Sequence, residues 1–528
     1  MPTAQISEPH SAGDWQATFH KVPKAVDCLL GEHGATRLCE IGLADAANSD
    51  MFTDFDQWCE SRFWPAIFSN FGGQPKSLSQ PKSALQVEVT SSMRAATLGL
   101  ELQEGLVLQN RLLTQPDVPA KRLMMFKLPP DTTYQCGDYL TILPINPNDV
   151  VHRAIRRFGL PWDAVLQIHR PEGSNPPQTI PLDRPISAFD LFSTYVELSQ
   201  PASKRDLNVL TEAASSDGGT QAELHSLASS STRFTDEIIN KRVSPLDLLW
   251  RYPAINLPID DFLMMLPPMR MRQYSISSSP LVNPSECTIT FSVLNVPALS
   301  RSGPSSNNEQ QDEERLMGVA STYLSDLKPG DRAHISIRPS KSGFKPPIDL
   351  KIPMVMACAG SGLAPFRSFI MERAEKIRGR HASFSKDNVL ANINKPAKVI
   401  LYVGCRTKGK DDIHATELAE WERLGAVDVR WAYSRPEDGR RGQHIQDLML
   451  ADKKEVAKLI QSDARIYICG STGVANAVRS AFKEIYLAQG REMLLGEGWE
   501  EIEDQDTAAE KFFERLKAQH RFATDVFT

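Results

Sequence analysis

The pattern of apolar and polar positions changes character several times along the chain. Near the start, Lys21–His33 (KVPKAVDCLLGEH) places apolar residues at helical spacing, and Thr36–Leu43 (TRLCEIGL) fits a short strand. Asn48 or Ser49 is a candidate cap for a helix through FDQWCESRFWPAIF, which the Gly72-Gly73 pair would end. The polar stretch GQPKSLSQPKS (73–83) carries two prolines and has the chemistry of a linker.

Residues 85–145 read differently. LQVEVTSS, GLVLQNRLLT, RLMMFKLP and DYLTILP are short strand-like runs bounded by Gly, Pro and Asp, which suggests an antiparallel barrel. From about 146 to 266 the pattern turns helical (VVHRAIRRF, ISAFDLFSTYV, TQAELHSLAS, TDEIINKRV), as an insertion would. Strand signals resume at RQYSISSS (272–279) and CTITFSVLNV (287–296). Residues 301–315 are polar and acidic, and are expected to form a disordered surface loop.

From residue 352 onward, apolar strands alternate with helices. IPMVMACAG leads through a glycine turn into APFRSFIMERAEK; VILYVGC, VDVRWAYS and ARIYICG follow, with helical stretches between them and VANAVRSAFKEIYLAQG after the last. Repeated alternation of buried strands and helices predicts a doubly wound parallel sheet.

The 528 residues exceed what one ordinary core takes. A net charge of −6 argues against nucleic acid as the partner. The eight cysteines are scattered, without CxxC or Cys/His spacing for zinc, so no metal site is expected and the thiols read as reduced, in a cytoplasmic protein. No apolar run is long enough to span a bilayer, and MPTAQISEPHSAGDW lacks the features of a signal peptide. Peripheral attachment to a membrane stays open.

Five places carry candidate chemistry. Gly360-Ser361-Gly362, between a strand and a helix, can admit a ligand phosphate, although tight strand-to-helix turns use glycine for structure too. In Arg272-Gln273-Tyr274-Ser275, Arg can pair with a pyrophosphate, Tyr can stack on a flat ring and Ser can hydrogen-bond a ring nitrogen; an ordinary strand is the competing reading. Ser434 and Arg435, with Arg440 and Arg441 behind them, suit a 2′-phosphate or are solvated loop charge. Cys469 ends a strand, where a buried thiol usually acts as a small hydrophobe. The terminal RFATDVFT has an Asp and two Phe, which suggests a tail tied to the fold rather than frayed.

In this order, RQYSISSS, GVAS (318–321), CAGSGLAPFRSF, YVGCR (402–406), AYSR (432–435), IYICG (466–470) and TDVF (524–527) resemble the NADPH–cytochrome P-450 reductase family over roughly residues 85–528. The match is nearest to the reductase half of self-sufficient fungal fatty-acid hydroxylases. The resemblance implies a ferredoxin-NADP reductase-like antiparallel FAD barrel with a helical connecting insertion (85–345) and a doubly wound NADPH-binding domain (346–528). Residues 1–72 look like the last third of a flavodoxin-like FMN domain, with Trp15 at the aromatic position beside the ring and 73–84 as the linker. The phosphate loop and most of the sheet of such a domain are not in this sequence, so binding of FMN by this chain is doubtful.

By residue, the resemblance implies that FAD is held by Arg272, Gln273, Tyr274 and Ser275, by Thr290, Phe291 and Ser292 on the next strand, and by Gly318, Val319, Ala320 and Ser321 at its pyrophosphate. NADPH falls to Gly360, Ser361 and Gly362, with Ser434, Arg435 and Arg441 at its 2′-phosphate. His444 stands where the family has a Tyr. Ser275, Cys469 and Asp525 match the hydride-transfer trio, and Phe527 matches the residue that covers the flavin. The implied function is reduction of a haem protein of cytochrome P-450 type, on a partner or in a fused domain, in a fatty-acid monooxygenase system. A sulfite-reductase-type flavoprotein is the neighbouring alternative, and a partner-binding remnant without turnover is the alternative of another class. Asp45, Asp50, Asp54, Asp56 and Glu60 could face a basic haem partner or be ordinary solvated surface.

Overall fold

The computed structural model describes residues 20–43, 51–72, 93–169, 179–297, 315–340, 343–383, 395–437, 439–494 and 505–527. Trp15, Asp45, Asp50, the linker, LQVEVTSS and almost all of the 301–315 loop lie outside them. The chain divides into two compact units, Met1–Thr90 and Ser91–Thr528.

The first unit is helical in its described residues. Lys21–Glu32 forms the expected helix, and Met51–Trp58 and Trp64–Phe71 are joined by a π-turn at Cys59–Phe63. The strand expected at Thr36–Leu43 does not form. No other strand is present among this unit's described residues to take its backbone hydrogen bonds. Instead Glu40 presents its carbonyl to the Trp58 indole N–H at 2.9 Å, and a Cβ on Gly42 would lie 2.6 Å from that ring.

The second unit begins with an antiparallel sheet. Its strands are β1 (Gln103–Leu112), β2 (Lys121–Lys127) and β3 (Tyr139–Ile142), followed far along the chain by β6 (Arg272–Ser275), β7 (Glu286–Ser292) and β10 (Arg332–Arg338). Two short pairs intervene in sequence, β4 (Val165–Gln167) with β5 (Pro185–Ser187) and β8 (Asn295–Pro297) with β9 (Arg315–Met317). The order is β6-β3-β10-β1-β2-β7, and an antiparallel bridge between Ile276 and Ile289 joins its two ends, closing the sheet as a barrel. Val107, Met124, Phe126, Leu140, Ile142, Ile289 and Ile335 fill the interior. Their alternation along each strand is the period-2 pattern of the sequence.

Between β3 and β6 runs a helical insertion with its own core, including Val151, Leu191, Phe192, Leu210, Leu246 and Phe262. Several of its helices start at serines. Ser203 with Asp206 and Ser244 with Asp247 form capping boxes, the second with Pro245 in the first turn.

The chain ends in five parallel strands: β11 (Met354–Ala359), β12 (Val399–Cys405), β13 (Asp428–Tyr433), β14 (Arg465–Ser471) and β15 (Phe522–Phe527), in the order β13-β12-β11-β14-β15. Met354, Met356 and Cys358 pack into the core on one face, Val355 and Ala357 into that on the other. Burial on both sides is why these strands read as continuous apolar runs. The C-terminal tail is tied down as β15, in parallel register with β14. The direction of winding reverses between β11 and β14, and such a switch point opens a crevice at the carboxyl ends of the strands.

Candidate functional site

The switch point is built from close backbone approach. β11 runs into Gly360–Gly362, where Gly360 adopts φ 57°, and the helix Leu363–Ser383 follows at once. A Cβ at Gly362 would lie 2.5 Å from the carbonyl oxygen of Cys469, so the turn rests directly on the end of β14. Parallel pairing then sets Asp525 beside Cys469, and Phe527 beside Ser471.

The barrel meets this crevice through paired residues of its own, Tyr139 on β3 and Ser275 on β6. The Ser275 hydroxyl donates to Asp525 Oδ2 at 2.7 Å, and the Tyr139 phenol donates to Oδ1 at 3.0 Å. The Cys469 thiol reaches Oδ2 at 3.8 Å. Burial first, and then the Asp525 charge, push the Cys469 thiol well above its ordinary range, so it stands as a neutral donor rather than a thiolate. The same two causes raise the Tyr139 phenol. Both oxygens of one carboxylate thus receive donors from the two halves of the unit. Phe527 is 43% exposed at the end of β15.

Other expected residues are placed as follows. Arg272 is held bidentately by Glu197 of the helical insertion, at 2.6 and 3.0 Å, a carboxylate without exposed surface. Tyr274 packs edge-on against Phe291 at 5.8 Å, while Gln273 points to solvent. Gly318 caps the helix Val319–Asp326. A Cβ there would meet Ser321 Oγ at 2.6 Å, and Ser321 in turn accepts the Leu294 N–H at 3.1 Å. Val319 and Ala320 are buried in the first turn. Ser361 receives a hydrogen bond from Ser292 at 3.0 Å, linking β7 to the glycine turn. Ser434 follows β13 and bonds the Cys405 carbonyl from its amide and its hydroxyl, at 3.0 and 3.3 Å. A side chain at Gly442 would strike the Ser434 carbonyl, which folds the following loop back onto it. Arg435, Arg441 and His444 are exposed there.

Thr290 and Phe291 are not brought to the crevice. Phe291 is buried in the barrel core. Thr290 faces the parallel-sheet half, 3.1 Å from His414 Nε2, within a buried polar network. His414 Nδ1 meets Glu417 at 2.8 Å, Arg367 binds Glu417 at 2.7 and 2.8 Å, and Arg367 also donates to the Ser277 carbonyl at 2.6 Å. Because Glu417 can only accept, Nδ1 carries the proton. Sequence reasoning missed this network, the Lys121–Asp411 ion pair and Tyr139. Of the network, Arg367, Ser277 and Thr290 lay inside quoted segments but His414 and Glu417 did not, and Tyr139 read as an ordinary strand former.

The residues fit two nucleotides. Gly318 and the helix it caps, with Arg272 and Tyr274, offer amide N–H groups, a cation and a ring to a flavin nucleotide. The Gly360–Gly362 turn and the Ser434/Arg435/Arg441 loop lie at the carboxyl ends of β11 and β13 and suit a phosphorylated dinucleotide. Among the described residues no cluster could hold a metal, and no helix is long and apolar enough to cross a membrane.

Residues 107–308 match the FAD binding domain family, and residues 356–480 match the oxidoreductase NAD-binding domain family. The chain is 58% identical over 519 residues to a bifunctional cytochrome P450/NADPH–P450 reductase of Aspergillus oryzae, covering 97% of this chain and 46% of that protein. A protein of the same description from Fusarium oxysporum is 42% identical, with 97% and 44% covered. A self-sufficient cytochrome P450 monooxygenase of Phanerodontia chrysosporium is 39% identical, with 97% and 45% covered. The chain therefore spans less than half the length of these relatives.

Proposed function

Because the chain belongs to the oxidoreductases that join an FAD-binding domain to an NAD-binding domain, we propose that it is the reductase end of a cytochrome P450 system, carrying reducing equivalents from NADPH to a haem protein. The observation that carries this reading is the meeting of Ser275, Tyr139 and Cys469 on the single carboxylate of Asp525 at the switch point. FAD, when bound, would supply the chemistry of two-electron hydride uptake and single-electron release.

The protein's part is placement and electrostatics. Ser275 would hold the reactive edge of the flavin ring. Asp525 provides a fixed negative charge where positive charge develops on the nicotinamide, an arrangement made before the reaction and needing no reorganisation during it. Cys469, neutral and buried, would set the depth of the nicotinamide ring. Phe527, at the end of β15 and half-exposed, would cover the flavin and move aside for the nucleotide. Arg272 would share its donors between Glu197 and the FAD pyrophosphate, which the amides after Gly318 would also help to hold. Gly360–Gly362 would receive NADPH, and Ser434, Arg435 and Arg441 its 2′-phosphate. Among the expected flavin contacts, Ser292 is exposed and donates to Ser361, whereas the Thr290 side chain joins the His414 network and the Phe291 ring lies in the barrel core.

The haem partner and the fatty-acid monooxygenase setting rest on the relatives and the motif resemblance, and FMN is not assigned to this chain. Steady-state reduction of ferricyanide and of cytochrome c by NADPH tests the proposal. Ferricyanide takes electrons from FAD directly and should be reduced rapidly, cytochrome c slowly. A chain loaded with FAD that reduces neither would contradict it.

A further inference from the structure

Resting on that reading, we propose that Tyr139 is a positioning residue for hydride transfer: its phenol fixes the rotation of the Asp525 carboxylate so that Oδ2 faces Ser275 and Cys469. The carboxylate is a two-oxygen group on a freely rotating bond, and its orientation is set by its partners. Ser275 and Cys469 both engage Oδ2, at 2.7 and 3.8 Å, which leaves Oδ1 to Tyr139 at 3.0 Å. Without the phenol, Oδ1 and Oδ2 become interchangeable about that bond, and the single arrangement becomes several.

The backbone makes Tyr139 a rigid anchor. It pairs with Ser275 across β3 and β6 and with Arg338 across β10, so its ring springs from the interior of a three-strand ladder. The next residue back, Asp138, is tied down as well: it accepts the backbone N–H groups of Gln135 at 2.9 Å and Ser340 at 3.2 Å. Asp525, by contrast, sits on the edge strand of the parallel sheet, two residues from the exposed Phe527. A donor anchored within the barrel ladder thereby registers an acceptor on the edge strand of the other half. The phenol also stays protonated, and so remains a donor, across the whole physiological range, because burial and the Asp525 charge raise it.

The test uses the intact chain in two ways. First, [13Cζ]tyrosine NMR of the flavin-free protein, with the Tyr139 signal identified by its loss in Tyr139→Phe, should show that signal shift in Asp525→Asn. An unmoved signal overturns the hydrogen bond and the proposal. Second, in FAD-loaded protein mixed anaerobically with NADPH, Tyr139→Phe should reduce the limiting rate of flavin bleaching about tenfold with unchanged NADPH affinity. The same change should add little in an Asp525→Asn background, since the two residues act as one. Equal rates for wild type and Tyr139→Phe, or fully additive effects, overturn the positioning role alone. A wild-type flavin that NADPH does not bleach overturns the underlying reading and this role with it.

Discussion

Lys121 on β2 of the barrel and Asp411 in the loop after β12 form an ion pair of 3.3 Å, with 8% and 2% of their side-chain surfaces exposed. Asp411 also accepts the backbone N–H groups of Arg406 at 2.9 Å and Thr407 at 2.9 Å, so its charge is compensated on every side. Exposed links flank it: Lys410 pairs with Asp117 and with Glu437, and the Gln115 N–H reaches the Lys410 carbonyl. The pair locks the barrel to the parallel sheet beside the glycine turn, where a Cβ on Gly360 would come within 3.3 Å of Lys121 Cε.

Removing one member of such a pair leaves the other charge buried alone, at a cost of about 3–5 kcal/mol. Asp411→Asn should therefore lower the urea midpoint markedly. Combining it with Lys121→Met should recover part of the loss. Two single variants whose effects simply add would show that the pair is not a unit.

The His414–Glu417–Arg367 network makes stability depend on pH from the acid side. Burial lowers the His414 imidazole below its ordinary value, outweighing the pull of Glu417. Burial of Glu417 acts upward, but the hydrogen bonds from Arg367 and His414 outweigh it and hold that carboxyl well below the usual range. In both cases the unfolded chain binds protons more readily than the folded one. Stability contributed by His414 is complete above its unfolded value of about 6.5 and is lost as pH falls through its lowered folded value. That of Glu417 is lost below about 4.5. Urea midpoints of the wild type should fall between pH 7 and pH 5, and His414→Gln should flatten this slope. Parallel curves for the two proteins would refute the assignment.

At Gly362 even one methyl group has no room, because it would lie 2.5 Å from the Cys469 carbonyl. Gly362→Ala should displace the turn or the end of β14 by a few tenths of an ångström or more. Misplacement on the 1 Å scale costs on the order of 100-fold in rate. FAD content should be unchanged while NADPH-driven bleaching slows by about 10- to 100-fold, which flavin analysis and stopped-flow absorbance would measure side by side.

Most of the architecture was legible in the sequence because both sheets follow simple periodicities. The short apolar run RLMMFKLP, bounded by turn residues, marks a barrel strand, and the continuous run IPMVMACAG marks a strand buried on both faces. Ser275, Cys469 and Asp525 were found through motif order and meet in space, although they lie up to 250 positions apart in sequence. What failed did so for physical reasons. TRLCEIGL has strand composition, but a strand exists only through its partners, and none is present among the described residues of its unit. The motif holding Thr290 and Phe291 gave no sign of their long-range contacts, the pleat turning one toward His414 and the other into the barrel core. Tyr139, Lys121 and His414 act across the seam between the two halves, and no local pattern announces a partner far away in the chain.

The central claim is tested most directly by the visible spectrum of the purified, FAD-reconstituted chain before and after NADPH is added without oxygen. The account predicts about one FAD per chain and loss of the oxidised-flavin absorbance on adding NADPH, much faster than with NADH. A chain that takes up no FAD, or one whose bound flavin NADPH leaves oxidised, would contradict it.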